Sequence, residues 1–203
     1  MNYIDMPVSE FTAALASSSP APGGGGASAL AAALGAALAC MVGNLTVGKE
    51  NEPRLRELIA EAQSLRERLL ALVDADAEAF LPLAAAYRLP KDAPGRDAVM
   101  EKCLADAAAV PMEILELSCQ VIALQEEFAA LGSSLAVSDA GTGAVFAWAA
   151  MYGAALNVLV NTRLMADRER AVDMNRRVNE LMQEYRVKAG RVYGDIFAKL
   201  SDK

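Results

Sequence analysis

Pro20-Ala21-Pro22-Gly23-Gly24-Gly25-Gly26-Ala27-Ser28 runs straight into an alanine-rich segment that carries no charged residue before it ends at Gly48-Lys49. Four consecutive glycines ahead of a helix expose backbone. Glycine lets a ligand approach the main chain closely, and the first turn of the next helix leaves several N–H groups without intrahelical partners. Together these predict a cradle for an anion or polar ligand. The competing reading is a flexible linker ahead of a core helix.

A second charge-free run, Ala140 to Thr162, mirrors the first. Each approaches membrane-spanning length. Both are rich in Ala and Gly and hold Asn44, Asn157 and Asn161, a composition suited to the centre of a soluble helical bundle, so no membrane association is expected. The 203-residue chain is 54% hydrophobic but only 5% aromatic, which favours helices over sheets. Its net charge of -7 argues against nucleic-acid binding, which needs a dense basic surface. Met1 to Glu10 lacks the basic-then-apolar order of a signal peptide, and Cys40, Cys103 and Cys119 have no metal-type spacing. A cytoplasmic protein with buried thiols and no metal is expected. The absence of histidine leaves carboxylates, Lys, Tyr, Cys or water for acid–base chemistry.

Outward from the glycines, Ser9 is expected to cap a short helix over Glu10 to Leu15, and the interior helix to run from Ala27 to Val47. Leu55, Leu58, Ile59, Ala62, Leu65, Leu69, Leu72, Val73 and Phe80 recur at helical spacing in a helix over Glu52 to Arg88, which Pro82 should kink or interrupt. Further helices are predicted over Arg96 to Leu131, bent at Pro111, over Ser138 to Arg163, and over Asp167 to Ala198. The expected fold is all-α: residues 1–203 as one domain, a single antiparallel bundle of about five long helices. Small-residue faces that can pack across a two-fold axis predict a homodimer.

Leu72-Val73-Asp74-Ala75-Asp76-Ala77-Glu78-Ala79-Phe80 holds acids on different helical faces. Asp76 falls on the apolar stripe, while Asp74 and Glu78 share another face. A carboxylate there loses hydration and its pKa rises, which suits a general acid or base; a structural Asp bonded to a neighbouring helix is the other reading. Asn157 and Asn161, one turn apart on an apolar helix, must be hydrogen-bonded, either between helices or to a heterocycle. Asp139 follows Ser138 at a helix start, where a cap is the ordinary role. Gly43-Asn44-Leu45-Thr46-Val47-Gly48-Lys49 has the glycine and lysine spacing of a phosphate loop, but Glu50 stands where the magnesium-binding hydroxyl belongs and the segment ends a helix, so the match is false. Lys49, Arg88 and Lys91 remain as cations that can pair with a carboxylate ligand.

The motifs at residues 20–28, 41–49, 72–80 and 88–91, with Ser138-Asp139-Ala140-Gly141 and Ala155 to Asn161, closely resemble, in the same order, the cyclodeaminase domain of formimidoyltransferase-cyclodeaminase and the stand-alone methenyltetrahydrofolate cyclohydrolases. The resemblance spans nearly the whole chain, and the stand-alone type fits it. It implies a homodimeric helical bundle with a tetrahydrofolate derivative as substrate and no tightly bound cofactor. The implied reaction closes 5-formimidoyltetrahydrofolate to the 5,10-methenyl form with loss of ammonia, or hydrolyses that bridge to 10-formyltetrahydrofolate. The sequence leans slightly to cyclodeaminase; the glycine stretch and the Asn44 to Lys49 run fit the cyclohydrolases at least as well. A non-catalytic folate-binding helical dimer is the alternative. The implied catalytic aspartate lies in the acidic motif and is assigned to Asp76 on its facing, with Asp74 in reserve. The implied substrate-binding set is Gly23, Gly24, Gly25, Gly26, Ser28, Asn44, Lys49, Arg88, Lys91, Asp139, Asn157 and Asn161.

Overall fold

A computed structural model describes residues 2–46, 48 and 52–201. Among them are six α-helices: α1 (Val8–Leu15), α2 (Gly24–Asn44), α3 (Glu52–Ala86), α4 (Arg96–Leu131), α5 (Val137–Thr162) and α6 (Arg168–Ser201). The count is six where about five long helices were expected, because the eight-residue α1 adds to the five long ones. No strand occurs among the described residues.

Several boundaries differ from those expected. Ser9 caps nothing, since α1 begins at Val8 and Pro7 occupies the cap position. The glycines are not a loop before α2 but its first turn, which opens at Gly24. Pro82 does not interrupt α3, which runs on to Ala86. Proline frees the carbonyl four residues back, here that of exposed Glu78, and water can satisfy it. Helix α4 has the expected bounds and runs through Pro111, whose freed carbonyl belongs to buried Ala107 and needs a protein donor.

Helix α2 lies antiparallel to α5, with Gly24 beside Asn157, Ser28 beside Gly153 and Gly35 beside Gly143. Small residues along both faces let the backbones approach closely, as two charge-free helices must to bury their Ala-rich surfaces. Helix α3 is antiparallel to both α2 and α4, fastened to α4 by Arg54–Glu127 and Arg68–Glu113 ion pairs. Helix α6 covers the outside, where Arg177 pairs with Glu116 of α4 and Gly141 of α5 packs on Ile196. Three stretches, Gly24–Asn44, Arg96–Leu131 and Ser134–Thr162, are long and apolar enough by length and composition to cross a membrane. In this fold they pack on one another around a core that includes Ala32, Ala36, Val121, Ile122, Ala144 and Ala147.

At the centre, fully buried Gln125 of α4 donates from Nε2 to the Gly35 carbonyl at 2.8 Å. A Cβ on Gly35 would lie 2.8 Å from the Gly143 carbonyl oxygen, which neither backbone can yield cheaply. Gly35→Ala should therefore destabilise the fold by about 1–2 kcal/mol, overpacking outweighing the better helix propensity of alanine. Thermal unfolding should register this as a fall of roughly 2–8 °C; an unchanged or raised midpoint would mean that α2 and α5 are not packed this closely.

Candidate active site

The first turn of α2 meets α3 and α5 in a cleft of about 200 Å³ lined by Pro20, Ala21, Gly23, Gly24, Asp76, Ala77, Phe80, Ala107, Pro111, Asn157, Val160 and Asn161. Asp76 is the only ionisable side chain among these lining residues. Its Oδ2 accepts from the Gly26 N–H at 2.8 Å. Gly26 is the third residue of α2, and Gly23 at the cap position offers no side-chain hydrogen bond. A carboxylate from α3 therefore caps α2 from outside, satisfying one of the donors that a helix start leaves unpaired.

This contact explains the glycines. A Cβ on Gly25 would lie 2.0 Å from Asp76 Oδ1, one on Gly26 3.2 Å from the Val73 carbonyl oxygen, and one on Gly24 3.1 Å from Asn157 Nδ2. Glycine costs about 1 kcal/mol per position in a helix interior relative to alanine, so a glycine-rich opening turn forms only with outside support. Asp76 supplies it through the Gly26 N–H, and Asn157 packs beside Gly24. The Asp76 pKa is raised, because burial disfavours the charged carboxylate by more than the Gly26 N–H favours it. Its protonated form is thus more accessible near neutral pH than that of an exposed aspartate.

The asparagines have separate tasks. Asn161 Nδ2 donates to the Ala107 carbonyl and to the Asn157 carbonyl, each at 2.9 Å. The first of these bonds satisfies the acceptor that Pro111 frees in α4, so Asn161 repairs a neighbouring helix and fixes one wall of the cleft. Asn157 Nδ2 donates to the Gly153 carbonyl at 2.8 Å, and its amide faces Gly24 and the cleft.

Gly23, Gly24, Asp76, Asn157 and Asn161 thus come together at one cleft, with Gly25 and Gly26 directly behind Asp76. Ser28 does not line it: its hydroxyl donates to the Gly24 carbonyl at 2.7 Å and packs against Gly153. Asp74 also faces elsewhere and accepts the Tyr3 N–H. Arg88 and Lys91 are exposed beyond the end of α3, roughly 12 Å or more along the chain direction past Phe80. Asn44 ends α2 and Asp139 lies in the first turn of α5, about 30 Å and 27 Å along their helices from Gly24 and Asn157. These two sit at the opposite end of the bundle. Lys49 falls outside the described residues.

Phe80, Ala107, Pro111 and Val160 line the cleft without having been singled out as site residues. Pro111 carried a usable signal, since a proline within a buried helix demands a donor for the carbonyl four residues earlier. The described residues contain no group of three or more His, Cys, Asp or Glu side chains placed to hold a metal ion. The buried thiols lie away from the cleft lining; burial raises the Cys40 pKa and pushes that of Cys119 up to about 12, so neither is a ready thiolate.

In this all-α bundle one half-buried carboxylate is thus set between glycine backbone and a pair of amides at a single cleft. The chain belongs to the formiminotransferase-cyclodeaminase family, whose profile matches residues 7–180. It is similar to methenyltetrahydrofolate cyclohydrolase of Methylorubrum extorquens, 36% identical, with 96% of this chain and 97% of that protein covered. It is also similar to formimidoyltransferase-cyclodeaminase of Rattus norvegicus, 34% identical over 97% of this chain but only 38% of that longer protein. The crystal structure of formiminotetrahydrofolate cyclodeaminase from Thermotoga maritima has the same fold, with a TM-score of 0.80, 26% identity, and 95% and 94% of the two chains covered.

Proposed function

We propose that this chain is a folate one-carbon enzyme that acts on the 5,10-methenyl bridge of tetrahydrofolate, with Asp76 as the proton carrier. The carrying observation is the lone Asp76 carboxylate, half-buried in an otherwise uncharged cleft. The bridge is an amidinium cation, so a carboxylate beside it is a favourable counter-charge in a site of reduced dielectric. In hydrolysis, water adds to the bridging carbon while Asp76 takes one of its protons. As the tetrahedral intermediate breaks its bond to N5, Asp76 returns its proton to N5 and the hydroxyl gives its own to solvent, leaving the formyl group on N10. In the cyclodeaminase reaction, N10 attacks the formimidoyl carbon as its proton passes to the imine nitrogen, and the resulting amine takes a second proton and leaves as ammonia. Both reactions need one group that alternates between acid and base, which a carboxylate of raised pKa provides.

Hydrolysis is placed first, because the Methylorubrum relative that matches this chain end to end bears that name. The cyclodeaminase reading rests on the Thermotoga structure, which also matches nearly end to end. The cleft is small for a whole folate, since drug-sized ligands occupy about 300–1,000 Å³. It suits the bicyclic head and the bridge, with the asparagines and the free N–H groups of the α2 first turn against polar edges of the ring. Arg88 and Lys91, exposed and making no ion pair with any described residue, are assigned to the carboxylates of the glutamate tail.

Asn44 and Asp139 cannot reach a ligand beside Asp76 of the same chain. We assign them to the cleft of a second copy in a homodimer, which would cover exposed Leu34 and Met41 of α2, Leu45 at its C-cap, and Val145, Tyr152, Leu156 and Val160 of α5, residues that recur at spacings of one to two turns. The experiment is absorbance of purified protein mixed with 5,10-methenyltetrahydrofolate, together with its mass by sedimentation. Loss of the methenyl chromophore at twice the chain mass is expected. Gain of that chromophore from the formimidoyl form would move the assignment to cyclodeaminase. Tight binding with no change in either would make the protein a binder, and a species of single-chain mass at full activity would remove the dimer.

A further inference from the structure

Tyr3 lies outside the cleft, yet it touches both the helix that carries Asp76 and the segment that faces it. Tyr3–Asp5 forms a single 3₁₀ turn against α3. The Tyr3 N–H donates to Asp74 Oδ1 at 2.5 Å, and its phenolic O–H donates to the Ala21 carbonyl at 3.1 Å. Ala21 is 3% exposed and lines the cleft. We propose that Tyr3 is a positioning residue for this site, a strap that fixes one end of the 21–26 segment while Asp76 fixes the other.

Asp74 and Asp76 stand two apart on α3 and project in different directions. Asp76 grips Gly26 directly; Asp74 grips Ala21 through Tyr3. Between those ends the chain has few side chains with which to hold itself. A Cβ on Gly23 would meet nothing within 4 Å, so beyond the Ala27 N–H bond to the Gly23 carbonyl at 3.0 Å no packing holds this residue in place. Glycine loses more backbone freedom on ordering than any other residue, which makes external ties matter most here. The strap is itself anchored, since Tyr3, Ile4 and Met6 pack on the main core. With the phenol bond gone, the segment that presents the Gly26 N–H to Asp76 and forms the cleft wall at Ala21 has more room to move. Misplacement of reacting groups on the scale of an ångström is costly to turnover.

This inference rests on the proton role proposed for Asp76. The test is steady-state hydrolysis of 5,10-methenyltetrahydrofolate, with thermal unfolding alongside, for Tyr3→Phe, Asp74→Ala, Asp74→Asn and the Tyr3→Phe/Asp74→Ala pair. Tyr3→Phe keeps the ring packing and the backbone donor and removes only the hydroxyl. It should lower kcat about tenfold while KM changes by less than about threefold and the unfolding midpoint falls only slightly. Asp74→Ala should do the same by releasing the strap, and Asp74→Asn, which keeps an acceptor oxygen, should recover most of the loss. The double variant should be no slower than Asp74→Ala alone, because both substitutions cut one connection. A Tyr3→Phe kcat within about twofold of the unsubstituted enzyme, or losses that multiply in the double variant, would overturn the strap while leaving Asp76 in place. An active Asp76→Asn would overturn the proton role, and the strap's claim on kcat with it.

Discussion

Asp76→Asn should lower kcat by about 10²–10⁴-fold, the range that a positioned general acid or base contributes, and leave a folded protein that still binds folate. The amide keeps an oxygen that can accept the Gly26 N–H, so the outside cap on α2 survives. It cannot carry a proton or offset the charge of the bridge. The same change should raise stability at neutral pH. Burial raises the Asp76 pKa above that of an unfolded aspartate, so between those two values the native chain holds more protons than the unfolded one. Native stability then falls as pH rises through that interval. Asparagine removes this dependence. The thermal midpoint of the variant should equal or exceed that of the parent at pH 7, and the gap should close as pH falls toward the ordinary carboxylate range. Gain of stability with loss of turnover is the signature of a group retained for function. An Asp76→Asn enzyme of near-normal kcat, beside an Asp74→Asn enzyme that is inactive, would transfer the catalytic role to Asp74.

Gly25→Ala should be nearly as damaging, although it alters no ionisable group. The added Cβ would lie 2.0 Å from Asp76 Oδ1, 2.4 Å from Cγ and 2.6 Å from Oδ2. All three carboxyl atoms would be displaced, and the Gly26 N–H would lose its acceptor. A fall in kcat of about 10²-fold or more is expected, on the scale of a reacting group moved by roughly an ångström. The fold should tolerate the change, because alanine is the better helix former, which offsets part of the lost Gly26 contact, and the displaced Asp76 side chain can turn into the cleft. The thermal midpoint should therefore stay within a few degrees of the parent. Combining Gly25→Ala with Asp76→Asn should add little to the loss from Asp76→Asn alone, since both act through one carboxylate. A Gly25→Ala enzyme with unimpaired kcat would show that Asp76 need not lie against the glycine turn during the reaction.

Much of this arrangement was legible in the chain. Leu72, Val73 and Phe80 set a helical stripe on which Asp76 was out of place, and that single mismatch found the cleft's only carboxylate. Asn157 and Asn161 announced themselves as amides on a charge-free helix that had to be bonded. The glycine stretch was marked as special but its state was misjudged. Local rules count four glycines as a poor helix and favour a loop, whereas the carboxylate that caps the turn comes from a residue 50 positions away. Pro82 was expected to kink or interrupt α3 for a related reason. Whether a proline stops a helix depends on who satisfies the freed carbonyl, and for Pro111 that partner is Asn161 of another helix.

By itself the sequence determined what local periodicity and composition can carry: an all-helical chain, two interior helices, an aspartate on an apolar stripe in a chain without histidine, and a family resemblance spread over nearly the whole length. Only the tertiary structure decided which motif residues share a cleft. Helices of 21 to 36 residues hold their ends some tens of ångströms apart, so Gly24 and Asn44, or Asp139 and Asn157, belong to one helix yet cannot belong to one site within a chain. Antiparallel packing brought the start of α2, the last third of α3 and the end of α5 to the same end of the bundle, and put a glycine where the Asp76 carboxylate needed the space.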